Sequence, residues 1–193
     1  AKACRGVKLM LSATPDEVSL AEIEAGRLKV ARLFRRPHGQ PLPEPRFYLR
    51  PVWLQIFGLL WQLHRMAPRR VLVFVPRIRD GNRLSRLLGC PCIHSQSPDK
   101  DDIMRRFSGK EYRVLVSTTL LERGITVPSV QVIVLRADHP VFTMASLVQI
   151  FGRAGRSFDD PKGECLCFAA SLSDSMRQSA NLLHQMNESV SFV

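Results

Sequence analysis

The segment Gln149–Arg156, which reads QIFGRAGR, carries the side chains with the clearest capacity for chemistry. If the segment is helical, Gln149, Arg153 and Arg156 fall at i, i+4 and i+7 and share one face. Two guanidinium groups on one face can clamp the oxygens of a transferring phosphate. The two intervening glycines oppose helix formation, and close approach of a ligand or another backbone is the usual reason for them. A basic helix face with surface ion pairs is the alternative, which the pattern favours less.

A second candidate site follows the apolar strand predicted over residues 112–116. Ser117 and Thr118 stand at the carboxyl end of that strand, where hydroxyls and free backbone N–H groups can hold a phosphate. Gly124 lets the backbone turn toward a nucleotide. The same residues could form a simple hydroxyl-containing turn before a helix, and only the neighbouring motifs favour the functional interpretation.

The charge balance favours a polyanionic partner. Lys and Arg together number 28 against 17 Asp and Glu, which gives a net charge of +11. Release of counterions from nucleic-acid phosphates would drive binding to such a surface. A generally basic proteome would give the same composition, so the motifs must decide between the two explanations.

Strands and helices that alternate along the second half of the chain must position these residues. Apolar runs predict strands and amphipathic stretches predict helices, which implies an α/β fold with a mostly parallel sheet and helices on both faces. The predicted strands are 71–75, 92–94, 112–116, 130–135 and 164–169. The predicted helices are 52–66, 79–88, 100–107, 143–154 and 173–188.

The proline distribution predicts the domain boundaries. Four prolines between residues 36 and 45 exclude regular structure there, so 37–51 is predicted to be a linker. Residues 1–36, with a further strand possible at 27–34, would be the end of one domain, and residues 52–193 a second domain.

The cysteines lack the spacing of a zinc site and are expected to be core thiols without metal or disulfide. No apolar run reaches membrane-spanning length, so no membrane insertion is expected and a cytoplasmic location is favoured.

In this order, the segments resemble the second RecA-like lobe of superfamily 2 helicases. Ser12, Ala13 and Thr14 resemble motif III, which couples hydrolysis to strand movement in that superfamily. Residues 71–76 resemble motif IV. Residues 117–126 resemble motif V, and Gln149–Arg156 resembles motif VI.

The resemblance implies an ATP-binding role for one set of residues. Arg153 and Arg156 match the two motif VI arginines that face the γ-phosphate. Gly124 and Thr126 match the part of motif V near the nucleotide, and Gln149 begins motif VI. DEAD-box RNA helicases usually have an aspartate in place of Thr126 and a histidine in place of Gln149. Both departures weaken an RNA-helicase interpretation.

A second set is implied to contact DNA. Thr118, with Ser117 beside it, matches the motif V hydroxyl that touches a backbone phosphate. His94 and Ser95 occupy the position of another DNA-facing loop, although a strand end with a capping serine explains them equally well.

Three segments narrow the resemblance to the ComFA family of bacterial DNA-uptake ATPases: residues 35–45, 121–126 and 137–142. The family implies an ATP-dependent translocase that drives single-stranded DNA uptake in natural transformation, with DNA-uptake machinery at the membrane as a further partner. A lobe similar to the replication-restart helicase PriA is the rival.

The sequence contains neither a G-x-x-x-x-G-K-[ST] phosphate loop nor an acidic D-E-x-[DH] segment. ATP and Mg²⁺ would therefore be held mainly by a first RecA-like lobe of the same protein. The chain alone is expected to be inactive. A non-catalytic DNA-binding or docking module is the alternative from another functional class.

Overall fold

The computed structural model describes residues 12, 15, 17–31, 36, 38–118, 127–158 and 160–189. Four predicted functional residues, Ala13, Thr14, Gly124 and Thr126, lie outside these described residues. The chain divides into two compact units, Ala1–Leu33 and Phe34–Val193.

The first unit contains helix α1 (Glu17–Glu24), which buries none of its residues. Arg27 follows the helix and forms an ion pair of 2.8 Å with Glu22. Residues 27–31 form no strand, so the strand considered at 27–34 is absent from the part that the structure describes. Ser12 is exposed.

The second unit is a six-stranded, all-parallel sheet with the strand order β1-β6-β5-β2-β4-β3. The sheet and its helices confirm the predicted RecA-like α/β fold. In chain order the elements are β1 (Pro45–Leu49), α2 (Val52–Arg65), β2 (Arg70–Val75), α3 (Ile78–Leu88), β3 (Cys92–Ile93), α4 (Lys100–Ser108), β4 (Val114–Thr118), β5 (Val130–Leu135), α5 (Met144–Phe151), β6 (Cys165–Ala169) and α6 (Asp174–Glu188).

The direction of each crossover decides which face of the sheet its helix covers. The connections from β1 to β2 and from β2 to β3 run one way across the sheet, whereas those from β3 to β4 and from β5 to β6 run the other way. Right-handed crossovers therefore place α2 and α3 on one face, and α4 and α5 on the other. Alternate residues of β2 contact the two cores: Val73 packs with the α2 face, and Phe74 packs with the α4 and α5 face.

The proline-rich linker predicted at 37–51 is shorter in the structure, because residues 45–49 form strand β1. This strand pairs with β6 at the edge of the sheet, from Pro45 opposite Cys165 to Leu49 opposite Ala169. Proline is tolerated as the first residue of an edge strand, where its missing donor breaks no ladder. Pro41 and Pro43 precede β1, and Pro51 follows it as the residue before α2, so none of them interrupts the strand.

Candidate nucleotide and nucleic-acid sites

Helix α5 positions the predicted arginine clamp but ends earlier than predicted. It begins at the Thr143 cap, whose hydroxyl accepts a hydrogen bond from the Ser146 N–H at 3.2 Å, and it ends at Phe151. Arg153 N donates to Ile150 O at 3.1 Å, which is a tighter turn than a continuing α-helix would make. The prediction that Gln149, Arg153 and Arg156 share a helix face is therefore wrong, because both arginines lie in the loop that follows.

Contact with another backbone segment explains the second glycine of this loop, Gly155. Gly155 has φ of +62°, a conformation that residues with a Cβ rarely adopt. A Cβ on Gly155 would lie 2.5 Å from both the Pro161 carbonyl oxygen and the Gly163 nitrogen. The glycine thus permits contact with another backbone, which is one of the two explanations that the sequence left open. We call residues 152–164 the arginine loop.

A side chain from before β1 fastens the arginine loop. Arg36 Nη1 donates to the carbonyl oxygens of Ala154 at 2.6 Å and Gly155 at 2.8 Å, and its Nη2 donates to that of Gly152 at 3.3 Å. His38 Nε2 lies 2.9 Å from the Gly155 oxygen. These contacts satisfy carbonyls that the end of a helix leaves without partners.

Three guanidinium groups come together at this place. Burial, and next the charge of Arg156, lower the pKa of Arg36 below its usual range. The same two causes lower the pKa of Arg153, in the same order. Arg156 is exposed, and its Nε donates to the Gly152 oxygen at 2.6 Å. Among the described residues, no carboxylate forms an ion pair with Arg36 or Arg156, and three guanidinium charges are concentrated at this place.

A buried glutamine ties the far end of the arginine loop to the sheet. Gln131 of β5 is fully buried; its Nε2 donates to Asp160 Oδ2 at 3.1 Å, and its Oε1 accepts from the Glu164 N–H at 2.6 Å. Gln149 is exposed on α5 one turn before the loop. The loop is thus fixed by contacts at both ends.

The hydroxyl residues of the predicted DNA site differ in what their side chains contact. Ser117 is buried within β4, and its hydroxyl donates to the Thr118 carbonyl at 2.8 Å. Thr118 ends the strand and is 7% exposed. Thr118 is therefore the better placed of the two for a ligand at the carboxyl edge of the sheet.

His94 and Ser95 directly follow β3 and form a turn. The His94 N–H donates to Ser97 Oγ at 3.0 Å, and the Gln96 N–H donates to His94 Nδ1 at 3.3 Å. Lys100 Nζ donates to the Ser95 carbonyl at 2.6 Å. A lysine thereby lies next to the exposed Ser95, at the same edge of the sheet as Thr118.

The two predicted sites lie at opposite ends of the strands. We call the side of the sheet where the strands begin the amino edge, and the side where they end the carboxyl edge. The Gly155 N–H reaches the carbonyl of Val130, the first residue of β5, at 3.4 Å. In the strand register, Arg70 at the start of β2 lies opposite Val130, and Val75 at the end of β2 lies opposite Thr118. At roughly 3.3 Å per residue, these two positions are about 16 Å apart. The structure thus places the arginine loop at the amino edge, and Thr118 and His94 at the carboxyl edge.

Cys165 and Cys167 are core thiols, as expected, whereas Cys90 and Cys92 are partly buried and pack against the core. Burial raises the pKa of Cys90 to about 11, so its thiol stays protonated at neutral pH. Cys165 and Cys167 are fully enclosed in β6. Within the described ranges, no group of three or more His, Cys, Asp or Glu could hold a metal ion. No helix of those ranges is long and apolar enough to cross a membrane.

The sequence did not reveal two arginines that organise the amino edge. Arg36 stood in a proline-rich stretch with no periodic pattern. Arg70 begins β2 and is buried, with Nη1 donating to the Phe107 oxygen at 2.9 Å and the Ser108 oxygen at 3.0 Å. The adjacent Arg69 and Arg70 before an apolar strand were the one available signal, and such a pair resembles any solvent-exposed strand end.

Comparison with known proteins agrees with the motifs. The model of the helicase conserved C-terminal domain matches residues 55–158, just over half of the chain. The competence protein ComFA of Streptococcus pneumoniae is 32% identical over 95% of this chain and 46% of its own length. ComFA of Bacillus subtilis is 32% identical over 92% of this chain and 42% of its own length. The chain spans less than half of both relatives.

Solved structures show the same fold at lower identity. Saccharomyces cerevisiae Dbp5 bound to RNA and ADP BeF3 has a TM-score of 0.64 at 19% identity, over 91% of this chain and 47% of that one. Mycobacterium smegmatis helicase Lhr bound to single-stranded DNA and AMP-PNP has a TM-score of 0.56 at 19% identity, over 77% of this chain and 22% of that one. The fold and the family match together show that the chain belongs to the helicase conserved C-terminal domain family.

Proposed function

We propose that this chain is the second motor lobe of an ATP-dependent DNA translocase of the ComFA type. The observation that carries the proposal is the electropositive cluster of Arg36, Arg153 and Arg156 at the amino edge. A cluster of guanidinium groups without a carboxylate partner for Arg36 or Arg156 among the described residues suits a polyphosphate.

In this proposal, Arg153 and Arg156 contact the γ-phosphate of ATP bound by the first lobe. Their charges stabilise the negative charge that spreads over the phosphate oxygens during transfer. Gln149, exposed on the preceding turn, contacts the nucleotide from the same side. Gly124 and Thr126 complete this set as predicted residues.

Magnesium belongs to the other half of the site. Mg²⁺ prefers carboxylates and phosphate oxygens, and the described residues offer no cluster of carboxylates that could hold it. We propose that the first lobe supplies its protein ligands. The ion neutralises phosphate charge when it is bound.

The carboxyl edge serves single-stranded DNA in the same proposal. The Thr118 hydroxyl contacts a backbone phosphate, and His94 and Ser95 approach the strand from the neighbouring β3 turn. Lys100, which holds the Ser95 carbonyl, adds a positive charge beside them. Ser117 supports Thr118 through the backbone, since its hydroxyl is already engaged.

Separate edges suit a motor, because nucleotide and DNA can then bind together on one rigid sheet. Motion of the first lobe on ATP hydrolysis would change the distance between the DNA contacts of the two lobes. Ser12, Ala13 and Thr14 are the proposed coupling residues between hydrolysis and movement. Uptake of single-stranded DNA in transformation, together with uptake proteins at the membrane, is proposed from the names of the ComFA relatives.

The test is turnover in the protein that contains both lobes. Arg153→Ala and Arg156→Ala should each lower kcat for DNA-stimulated ATP hydrolysis by about 10³-fold or more, as arginine fingers do elsewhere. ATP affinity should change much less, since the γ-phosphate contact matters most in the transition state.

Arg105→Ala is the matched control, because Arg105 is an exposed arginine of α4 whose ion-pair partner, Asp102, lies on its own helix. It should leave kcat within about twofold of wild type. Wild-type turnover in both Arg153→Ala and Arg156→Ala would remove these residues from the mechanism.

A further inference from the structure

Helix α2 exposes an apolar face that the described residues of its unit do not cover. Its 14 residues, VWLQIFGLLWQLHR, contain no carboxylate. One face is buried against the sheet through Leu59 and Leu63. The opposite face exposes a stripe of large side chains: Trp53 at 67%, Phe57 at 64%, Leu60 at 41% and Trp61 at 62%. A helix that is apolar on all sides is normally buried on all sides.

A groove continues from this stripe toward α3. It has a volume of about 300 Å³ and lies between α2 and α3 over the carboxyl ends of β2 and β5. Its walls are mainly aliphatic, with Val52 and Ile56 on α2 and Leu84 and Leu87 on α3. Its polar lining consists of Gln55, Arg83 and the Arg136–Asp80 ion pair, which is 3.1 Å long.

Arginines border the groove along α3. Arg79, Arg83 and Arg86 are all exposed and fall at i, i+4 and i+7, so they share one side of the helix. None of the three forms an ion pair with a described residue. Asp80, the acidic residue of α3, is already paired with Arg136. The surface is therefore apolar in the middle and positively charged along one border.

We propose that the α2–α3 surface binds an amphipathic helix of a partner protein, with apolar residues in the groove and acidic residues against the α3 arginines. The charge of the border requires an acidic complement. Trp53, Phe57 and Trp61 follow each other at one-turn spacing, which is the ridge spacing that a second helix packs against. Large aromatics and arginines are also the residues that dominate protein interfaces.

The groove suits a protein side chain better than a nucleobase. A base presents polar edges that need hydrogen-bond partners. Of the polar residues that line the groove, Gln55, Asp80 and Arg136 are already engaged with one another or with the backbone. This inference is independent of the nucleotide chemistry proposed above, because the surface shares no residue with the arginine loop.

The chain contains its own reporter for this surface. Its two tryptophans are Trp53 and Trp61, so tryptophan fluorescence observes only the α2 stripe. The probe is a designed helical peptide of about 18 residues, with leucines at i, i+3, i+4 and i+7 and glutamates on the flanks. Its control has lysine in place of every glutamate.

The glutamate peptide should shift tryptophan emission to the blue and protect it from acrylamide, and the lysine peptide should bind at least about tenfold more weakly. The double variant Arg79→Glu/Arg83→Glu should weaken the glutamate peptide about tenfold or more. The double variant Arg105→Glu/Arg177→Glu makes the same charge change on exposed arginines of α4 and α6 and should leave binding unchanged.

Three results would overturn the proposal. The first is an emission spectrum that the glutamate peptide does not change. The second is quenching by an oligothymidylate of about 20 nucleotides that also displaces the peptide, which would assign the stripe to DNA. The third is a dimer in sedimentation whose formation alone shifts the emission, which would assign the surface to a second copy of this chain. Circular dichroism of each variant verifies that it is folded.

Discussion

The two predicted sites, one at each edge of the sheet, are held by different kinds of contact. At the amino edge, Arg36 and His38 hold the arginine loop across separations of 116 to 119 residues. At the carboxyl edge, the contacts of His94, Ser95 and Ser117 reach no further than five residues along the chain. The arginine loop thus depends on contacts between distant segments, whereas the predicted DNA-contact residues lie in local turns.

This difference has a consequence for each site. The arginine loop has its observed conformation only while the segment before β1 is in place. The His94 turn needs only its own few residues and the end of β3. A change far away in the chain should therefore disturb the proposed nucleotide site more than the proposed DNA site.

The largest effect should come from Gly155→Ala. The new Cβ would meet two backbone atoms at 2.5 Å in addition to the strained φ, so we expect a loss of about 3 kcal/mol or more in the free energy of unfolding. Gly89→Ala is the matched control: its φ is +60°, but no atom lies within 4 Å of the new Cβ, so it should cost about 1 kcal/mol. Equal losses in chemical denaturation would show that the backbone contact is unimportant.

Arg36→Ala should have the next largest effect. The Ala154 carbonyl loses its donor, and the Gly152 and Gly155 carbonyls each lose one of two contacts. This should lower the free energy of unfolding by about 1–2 kcal/mol. Hydrogen exchange of peptides covering residues 152–158 should rise, and kcat of the two-lobe protein should fall. Arg36→Lys keeps the charge but loses the planar fork, so it should recover only part of both. Unchanged exchange in Arg36→Ala would contradict the fastening role.

Ser97→Ala should have a smaller and strictly local effect. The His94 N–H loses its acceptor, which should cost about 0.5–1 kcal/mol. Hydrogen exchange should increase around residues 94–97 and stay at the wild-type level over residues 152–158. An increase at both edges would mean that the edges are coupled, and the comparison between them would fail.

The smallest effect concerns His184 of α6. The hydrogen bond that His184 donates to Glu44, and next the charges of Glu188 and Glu44, raise the pKa of His184 above 6.5. A raised pKa stabilises the folded state at pH values below 6.5, and this stability is lost as pH rises through the folded pKa. Wild type should therefore exceed His184→Gln slightly in thermal stability at about pH 5.5, and the two should converge at about pH 8. A constant difference across this range would exclude the protonated pair.

Local patterns predicted most of the elements. β5 has the predicted bounds 130–135, and α2, α3, α4 and α6 begin and end within one residue of their predictions, because their apolar periodicity is strong. The predicted end of α5 was wrong by three residues. The low helix propensity of glycine did not reveal that Gly155 contacts the backbone of Gly163.

Contacts between distant segments explain the other differences. Strand β1 was hidden in a proline-rich stretch, because its pairing partner β6 lies far along the chain and gives no local signal. Arg36 was missed for the same reason. Among the described site residues, Arg153 and Arg156 come together at the amino edge, and Thr118 and His94 lie at the carboxyl edge. The spacing of these residues along the sequence did not predict that the two groups are separated.

Strand β1 also constrains the order of events when the protein is made. It is the earliest strand of the sheet to be synthesised, yet its partner β6 is the last, about 120 residues later. Residues 45–49 must therefore wait unpaired while the rest of the sheet is synthesised, and closure of so long a loop is slow. Arg36 likewise waits, because the carbonyls that it contacts are synthesised 116 to 119 residues after it. A ribosome that stalls before Gly152 would leave the amino edge without its clamp, so the proposed nucleotide site would be among the last parts of the lobe to mature.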